Sequence, residues 1–180
     1  LVVTRSGGIL ENKWLYSILN PIINIVRSLP FIILLIAIIP LTRLIVHTSI
    51  GTSAAIVPLI IYIAPYIGRL VENSLLEVNP GILEAADAMG ATPFQVIRYF
   101  LLPEAFSSLI LSLTTAAIGL IGATAMAGAV GGGGIGDLAI AYGYQRFDTL
   151  VMLITVVILV VFVQGVQSLG NLLSRKARRG

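Results

Sequence analysis

Four long apolar runs, separated by short polar connections, dominate the pattern of residues along the chain. The runs cover about residues 18–41, 52–71, 105–130 and 149–173, and the last two carry no charge. A helix needs about 20 mostly apolar residues to cross the hydrocarbon core of a bilayer. A membrane-spanning β-strand would instead alternate over about ten residues, whereas these runs are apolar on all sides. The pattern therefore predicts an all-α, polytopic membrane helix bundle with four full spans, forming one domain over residues 1–180.

Prolines mark two of these runs. Pro30 and Pro40 flank the most apolar part of the first run, and Pro58 and Pro65 lie inside the second. Proline removes a backbone hydrogen bond and bends a helix, which membrane helices tolerate where neighbouring helices satisfy the freed carbonyl group. We therefore expect the second span to be bent.

Composition supports the membrane assignment and narrows the chemistry. Of the 180 residues, 57% are hydrophobic and 11% are charged, and the mean hydropathy is +1.01. A soluble domain carries about 25% charged residues. The chain has no Cys and one His, His47, so it lacks thiol nucleophiles, disulfides and the ligands of a His-rich metal site. We expect no catalytic residue, no metal and no cofactor in this chain.

The basic residues are distributed unequally between the two sides of the predicted bundle. Arg43 and Arg146 fall in the connections 42–51 and 131–148, and the other nine of the eleven Lys and Arg residues lie on or near the opposite side. Positive residues mark the cytoplasmic side of membrane proteins. This places the loop within 72–104 and the C-terminus in the cytoplasm. The basic tail Arg175–Arg179 then indicates an anchor beside anionic lipid, not a nucleic-acid site.

The start of the sequence, Leu1-Val2-Val3 followed by Thr4-Arg5, is typical of the end of a membrane helix. We therefore expect a further, truncated span before the four full ones.

The long cytoplasmic connection, about residues 79–104, contains clear helix boundaries. Asn79 followed by Pro80 is typical of a helix start, with an N-cap and a proline in the first turn. Gly90 stands where a helix end favours a left-handed residue. Thr92 and Gln95 have the spacing of a capping box. The sequence predicts a short helix, a sharp stop and a second helix that re-enters the membrane.

The short helix is amphipathic, and its role stays open on physical grounds. Two faces are predicted, one with Ile82, Ala85, Ala86 and Met89, and another with Glu84 and Asp87. Such a helix either lies at the membrane surface or docks into a groove on another protein.

The third span presents small residues on one face. Thr115, Gly119, Ala123 and Ala127 recur every four positions, which permits close helix approach either within the chain or at a pore or dimer face. Met126 follows Gly122 by four residues and Gly119 by seven. Its flexible thioether either fills a packing gap or plugs a narrow pore as a gate.

Charged residues also occur at the cytoplasmic ends of the spans. For Arg27, Arg69 and Glu72, snorkelling or a local ion pair is a simpler interpretation than contact with a substrate.

A glycine run follows the third span. Gly131, Gly133 and Gly136 match G-x-G-x-x-G, but a dinucleotide site needs a βαβ unit around that motif, and here a membrane helix precedes it. We expect a flexible outer turn.

The cytoplasmic loop resembles a known motif. Glu84-Ala85-Ala86, then Gly90, Ile97 and Leu102-Pro103 are similar in type and spacing to the EAA loop of ABC importer permeases. The resemblance implies that the short helix couples to a separate ATP-binding subunit, which holds ATP and magnesium. The coupling residues it implies are Glu84, Ala85, Ala86, Asp87, Met89 and Gly90.

A narrower resemblance extends along most of the chain. The segments 27–35, 84–93, 131–137 and 142–148 resemble methionine-importer permeases. That family implies a type I ABC importer permease in the bacterial inner membrane, with five spans. The implied partners are a second copy of the chain, two ATP-binding subunits, an extracytoplasmic substrate-binding protein and the bilayer, without nucleic acid. The face towards the binding protein would include Gly131, Gly134, Gly136 and Asp137, and the cargo would be D- and L-methionine.

Alternative functions make different demands on the sequence. An ABC permease for another amino acid or small polar solute would share every feature above. An ion-coupled carrier usually places an acidic residue or His at mid-membrane, but every acidic residue here, from Glu11 to Asp148, lies in a connection or at a span end. A membrane scaffold without a transport path would not need the EAA spacing, and an enzyme would need a catalytic constellation.

Overall fold

The computed structural model describes residues 12–178, apart from the side chain of Lys13. The apolar start at Leu1, the charged residues Arg5 and Glu11, and Arg179 lie outside the described residues. Within 12–178 every regular element is helical. The α-helices are α1 Lys13–Ser28, α2 Phe31–Ala37, α3 Ile39–Val46, α4 Thr52–Leu76, α5 Pro80–Ala88, α6 Pro93–Gln95, α7 Leu102–Ala127, α8 Gly134–Leu138 and α9 Thr149–Ala177. Two π-helical turns, Val96–Leu101 and Ala139–Tyr144, and a 3₁₀ turn, Gly128–Val130, complete the set.

Within residues 12–178, three continuous helices are long and apolar enough to cross a membrane. They cover Thr52–Leu76, Pro93–Val130 and Thr149–Ala177, so the last three predicted runs are helical over their full length and extend beyond it. α4 remains one helix through both of its prolines. The third helix begins earlier than the apolar run because it starts in the cytoplasmic loop, at the boundary predicted there.

The first predicted run, 18–41, is divided among α1, α2 and α3 and is not a single helix. The helix axis bends by 106° between α1 and α2. Ile38 separates α2 from α3. Leu29 is extended, with φ −85° and ψ 129°, as steric crowding by the following Pro30 favours. Proline therefore ends α1 inside a run that is mostly apolar.

The core lies where α2 and α4 pack against α7. Phe31 and Leu35 contact Ala55, Ala123 and Ala127 in one buried cluster. The alanines let the helix backbones approach closely, as small residues do in membrane bundles. The small face of the third span is therefore used within the chain at Ala123 and Ala127.

The rest of that small face has other surroundings. Gly119 lies beside the ring of Tyr66, whose Cε1 would be 3.5 Å from an added Cβ. Thr115 is exposed. Because four residues are slightly more than one helical turn of about 3.6 residues, the line of small residues winds around α7. Its Thr115 end therefore turns away from α4.

The glycine run packs closely against the end of the third span. Gly128 and Gly136 are buried, and a Cβ added to Gly136 would overlap the backbone of Ala125. Gly131 and Gly133 have φ of 68° and 79°, a left-handed backbone that favours glycine. The glycines thus let α8 pack directly against the end of α7.

Candidate functional site

α5 has the capped ends that the sequence predicts. Asn79 is its N-cap, and the Asn79 side chain accepts a hydrogen bond from the Gly81 N–H at 2.9 Å. At the other end Gly90 has φ 73°. The Gly90 N–H donates to the carbonyl of Asp87 at 2.9 Å, and the Ala91 N–H donates to that of Ala86 at 3.1 Å. This pair of bonds is a Schellman motif, which stops the helix sharply.

The helix that returns towards the membrane starts with the predicted capping box. The Gln95 N–H donates to Thr92 Oγ1 at 3.4 Å, and the Thr92 N–H donates to Gln95 Oε1 at 2.8 Å. The π-helical turn Val96–Leu101 then leads into α7 without a break. The caps on both sides of Gly90 hold the loop in one conformation.

One face of α5 packs on the helix that returns into the membrane. Ala86 has no exposed surface. Val78, Leu101 and Ala105 form a buried cluster. Ile82 and Leu83 pack against that cluster together with Leu75, Ile97 and Leu109. Because Leu101 and Ala105 belong to the continuous helix Pro93–Val130, and Leu75 of α4 packs on the same cluster, a displacement of α5 would act on that helix directly and on α4 through the cluster.

The predicted apolar face of α5 is divided between the interior and the surface. Leu83 points inward, whereas Ala85 is exposed and Met89 is 67% exposed. Met89 is the C-cap, with φ −81° and ψ 0°, so its backbone has already left helical geometry. The inward direction runs between Ile82 and Ala86 and leaves Ala85 on the outer surface.

The outer surface of α5 is apolar at its centre and acidic at its edge. We define the coupling surface as the exposed residues Glu84, Ala85, Asp87, Met89 and Phe94. Large apolar side chains exposed beside charged ones are typical of a protein interface. Phe94 is the member that sequence reasoning missed, and its signal was a large aromatic residue inside a polar connection.

Hydroxyl groups join the helix ends around this loop. Ser74 Oγ lies 2.7 Å from Ser112 Oγ, which links α4 to α7. Ser107 Oγ lies 2.8 Å from Ser174 Oγ, which links α7 to α9. These bonds connect α9 through α7 to α4.

The gate candidate lies on an open face of α7. Met126 is 50% exposed, Gly122 is exposed, and a Cβ added to Gly122 would meet nothing within 4 Å. Half of the Met126 side chain therefore remains outside the packing of this protomer. The gate itself stays a prediction.

The predicted local ion pair is confirmed. Arg69 Nη1 lies 2.5 Å from Glu72 Oε2, and Glu72 is buried. The other terminal nitrogen of Arg69 donates to the side chains of Asn20 and Asn24 on α1. The pair therefore holds two helices together.

The residues predicted to face the binding protein differ in their exposure. Gly131 and Gly134 are exposed and Asp137 is partly exposed, whereas Gly136 is buried against Ala125. Gly136 therefore lies on the inner side of the segment, where it contacts α7.

The same outer segment also exposes large aromatic side chains. Tyr144 is exposed, and Phe147 is 86% exposed with φ 57°. The Arg146 guanidinium carbon lies 4.3 Å from the centre of the Tyr142 ring. Sequence reasoning gave these side chains no separate role, although large aromatic residues in a polar connection were a signal for them.

Comparison with known proteins decides the family. The model of the family described as "binding-protein-dependent transport system inner membrane component" matches residues 4–179. The chain belongs to this family. Its members are transport permeases, and the chain is a multi-pass inner-membrane protein.

Curated relatives in the family are similar over nearly the whole chain. A probable D-methionine transport system permease protein MetI from Vibrio cholerae is 52% identical over 176 residues, covering 98% of this chain and 78% of the relative. The protein of the same name from Pasteurella multocida is 49% identical over 174 residues, covering 97% of this chain and 80% of the relative.

A solved structure has the same fold. It is described as inward facing conformations of the MetNI methionine ABC transporter, with TM-score 0.91 and 49% identity, covering 98% of this chain and 82% of that one. The fold is thus that of a type I ABC importer permease, which confirms the predicted fold class.

Proposed function

We propose that the chain is the transmembrane subunit of an ABC importer for methionine in its D- and L-forms. The coupling surface carries this proposal, because α5 packs against the bundle on one side while its outer face is exposed. The curated relatives are named as D-methionine transport permeases, which supports methionine as the cargo.

The proposed assembly contains two copies of the permease and two ATP-binding subunits. The coupling surface docks on the ATP-binding subunit, with Met89 and Phe94 as apolar anchors and Glu84 and Asp87 facing basic or backbone donors. ATP and magnesium bind in that partner, which hydrolyses ATP, and this chain holds no cofactor. An extracytoplasmic binding protein delivers the cargo to the outer face, where Gly131, Gly134 and Asp137 lie. The C-terminus is cytoplasmic, as the basic residues predict.

Transport proceeds by alternating access. ATP binding brings the partner subunits together and draws the two copies of α5 towards each other. Because α5 packs on a cluster that residues of α7 build and that Leu75 of α4 also contacts, this movement tilts both helices and opens the path outward. A near-complete switch between two states requires ATP to favour the outward-open state by about 5 kcal/mol.

The path follows the two-fold axis between the permease copies. Met126 projects from the side of α7 that contains Gly122, which is open, and Gly119, which packs beside Tyr66. Its thioether closes the path in one state and swings aside in the other, which the small neighbouring residues permit.

Uptake into proteoliposomes tests the proposal. The complete transporter is reconstituted with its ATP-binding and substrate-binding subunits, and radiolabelled D-methionine, L-methionine and other amino acids are compared. We expect ATP-dependent methionine uptake that a non-hydrolysable ATP analogue cannot support. ATP-dependent uptake of another amino acid alone would contradict the cargo. Uptake driven by an ion gradient without ATP would contradict the coupling.

A further inference from the structure

α1 presents two unlike faces along its length. Its polar line contains Tyr16, Asn20, Asn24 and Arg27, and the opposite line contains Trp14, Ile18, Ile22 and Ile25. The spacings of three and four residues put each line on one side of the helix. The apolar line is continuous from the first turn to the last.

The polar face is held in place by α4. The Arg69 guanidinium donates to Asn24 Oδ1 at 2.9 Å and also to the side chain of Asn20. The same group is paired with Glu72, which is 6% exposed. A buried carboxylate thus orients the arginine, and the arginine sets the rotation of α1 about its own axis.

The apolar face is uncovered by the described residues. Trp14 is 80% exposed. Ile18, Ile22 and Ile25 are between 47% and 64% exposed. A continuous apolar face of this kind marks contact with a protein or with lipid.

The direction of α1 favours lipid. α1 turns by 106° relative to α2, and α2 belongs to the apolar bundle through Phe31 and Leu35. α1 therefore turns away from the direction of α2 rather than continuing it. Its 16 residues span about 24 Å at 1.5 Å per residue, along which one side stays apolar.

The charge and the aromatic residue of α1 fit a membrane surface. α1 contains no acidic residue, begins at Lys13 and carries Arg27 in its last turn. Anionic headgroups attract such a helix. Trp14 stands at its start, and tryptophan is enriched at membrane–water interfaces.

We propose that α1 lies in the interface of the anionic cytoplasmic leaflet, with its apolar line in the acyl chains and its polar line held by Arg69. The choice of leaflet rests on the orientation in the proposed function. The alternatives are a helix that crosses the membrane and a helix covered by a second copy or by another part of the chain.

Trp14 gives a direct test because it is the single tryptophan of the sequence. The complete transporter is reconstituted in phosphatidylethanolamine–phosphatidylglycerol vesicles that contain lipids brominated at a shallow or a deep acyl position. Quenching is measured for Trp14, and for Ile18→Trp, Ile22→Trp and Ile25→Trp in the Trp14→Phe background. The Trp14→Phe transporter supplies the signal of all other tryptophans, which is subtracted.

If α1 lies in the interface, the shallow bromines should quench the tryptophan fluorescence more than the deep ones at each of positions 14, 18, 22 and 25. The extent of quenching should be the same at all four positions. A crossing helix would separate positions 14 and 25 by about 16 Å in depth. Leu150→Trp and Val161→Trp on α9 are the matched control, since these positions are equally far apart in the sequence and are 68% and 66% exposed. They should differ in depth.

Three results would overturn the proposal. A depth gradient along α1 like that of α9 would show a crossing helix. Absence of quenching by either lipid would show a protein cover, and quenching by aqueous iodide at all four positions would show a helix in water. Methionine uptake in the same vesicles reports the proposed function separately, because the depth measurement does not depend on transport.

Discussion

Gly90 shows how one residue type sets the end of the coupling helix. Its φ of 73° lies where side chains are disfavoured, and a Cβ added there would meet nothing within 4 Å. The requirement for glycine therefore comes from the backbone and not from crowding. Asparagine tolerates the same conformation better than other side chains do, which provides a matched control.

Gly90→Val should strain the loop by about 1–3 kcal/mol. We expect the permease to insert in the membrane while the coupling surface is displaced, so that both the co-purified ATP-binding subunit and methionine uptake fall in parallel. Gly90→Asn should retain more of both. Full co-purification and full uptake in Gly90→Val, normalised to permease level, would show that α5 is only a surface helix.

Met126→Ala tests the gate. Shortening the side chain should raise the leak of cargo without ATP, or raise the ATP hydrolysed per methionine transported, with little change in thermal stability. Leu113→Ala is the control, because Leu113 is also 50% exposed and lies on α7. An unchanged leak and coupling ratio in Met126→Ala would assign Met126 to packing.

At the level of elements, helix caps were more predictable than contacts between distant residues. Asn79, Gly90 and the Thr92–Gln95 box were predicted at the correct positions because each acts within about four residues. The break at Pro30 was missed because the apolar run continues through it. The burial of Gly136 was also missed, because the overlap with Ala125 depends on how α8 folds back.

Gly136→Ala tests the packing of α8 on α7. The added methyl group would overlap the Ala125 backbone, and overpacking of this kind costs about 1–3 kcal/mol. We expect a lower midpoint of thermal aggregation in detergent. Gly165→Ala is the control, since Gly165 is helical with nothing within 4 Å of an added Cβ. Equal midpoints for Gly136→Ala and Gly165→Ala would mean that α8 shifts away from α7 without loss of stability.

At the scale of the whole molecule, the apolar runs and the EAA spacing predicted the fold class and the family, whereas the packing of the coupling surface required the structure. Ala85 and Met89 are exposed while Leu83 is partly buried, although helical spacing put Ala85 and Met89 on one apolar face with Ile82 and Ala86. The difference arises because α5 packs on the cluster of Val78, Leu101 and Ala105, whose position cannot be deduced from α5 alone.

The orientation of the whole bundle in the membrane gives the last prediction. The sequence contains no cysteine, so single-cysteine variants can be labelled selectively in the described chain. Tyr144 and Glu84 are both exposed and lie in connections on opposite sides of the bundle. An impermeant maleimide applied to intact cells should label Tyr144→Cys and should reach Glu84→Cys only after permeabilisation. The reverse pattern would place the coupling surface outside the cell, away from any ATP, and would exclude both the assembly proposed here and the assignment of α1 to the cytoplasmic leaflet. Equal labelling of both variants in intact cells would show that the cells are leaky, which a cysteine on a known cytoplasmic protein detects in the same experiment.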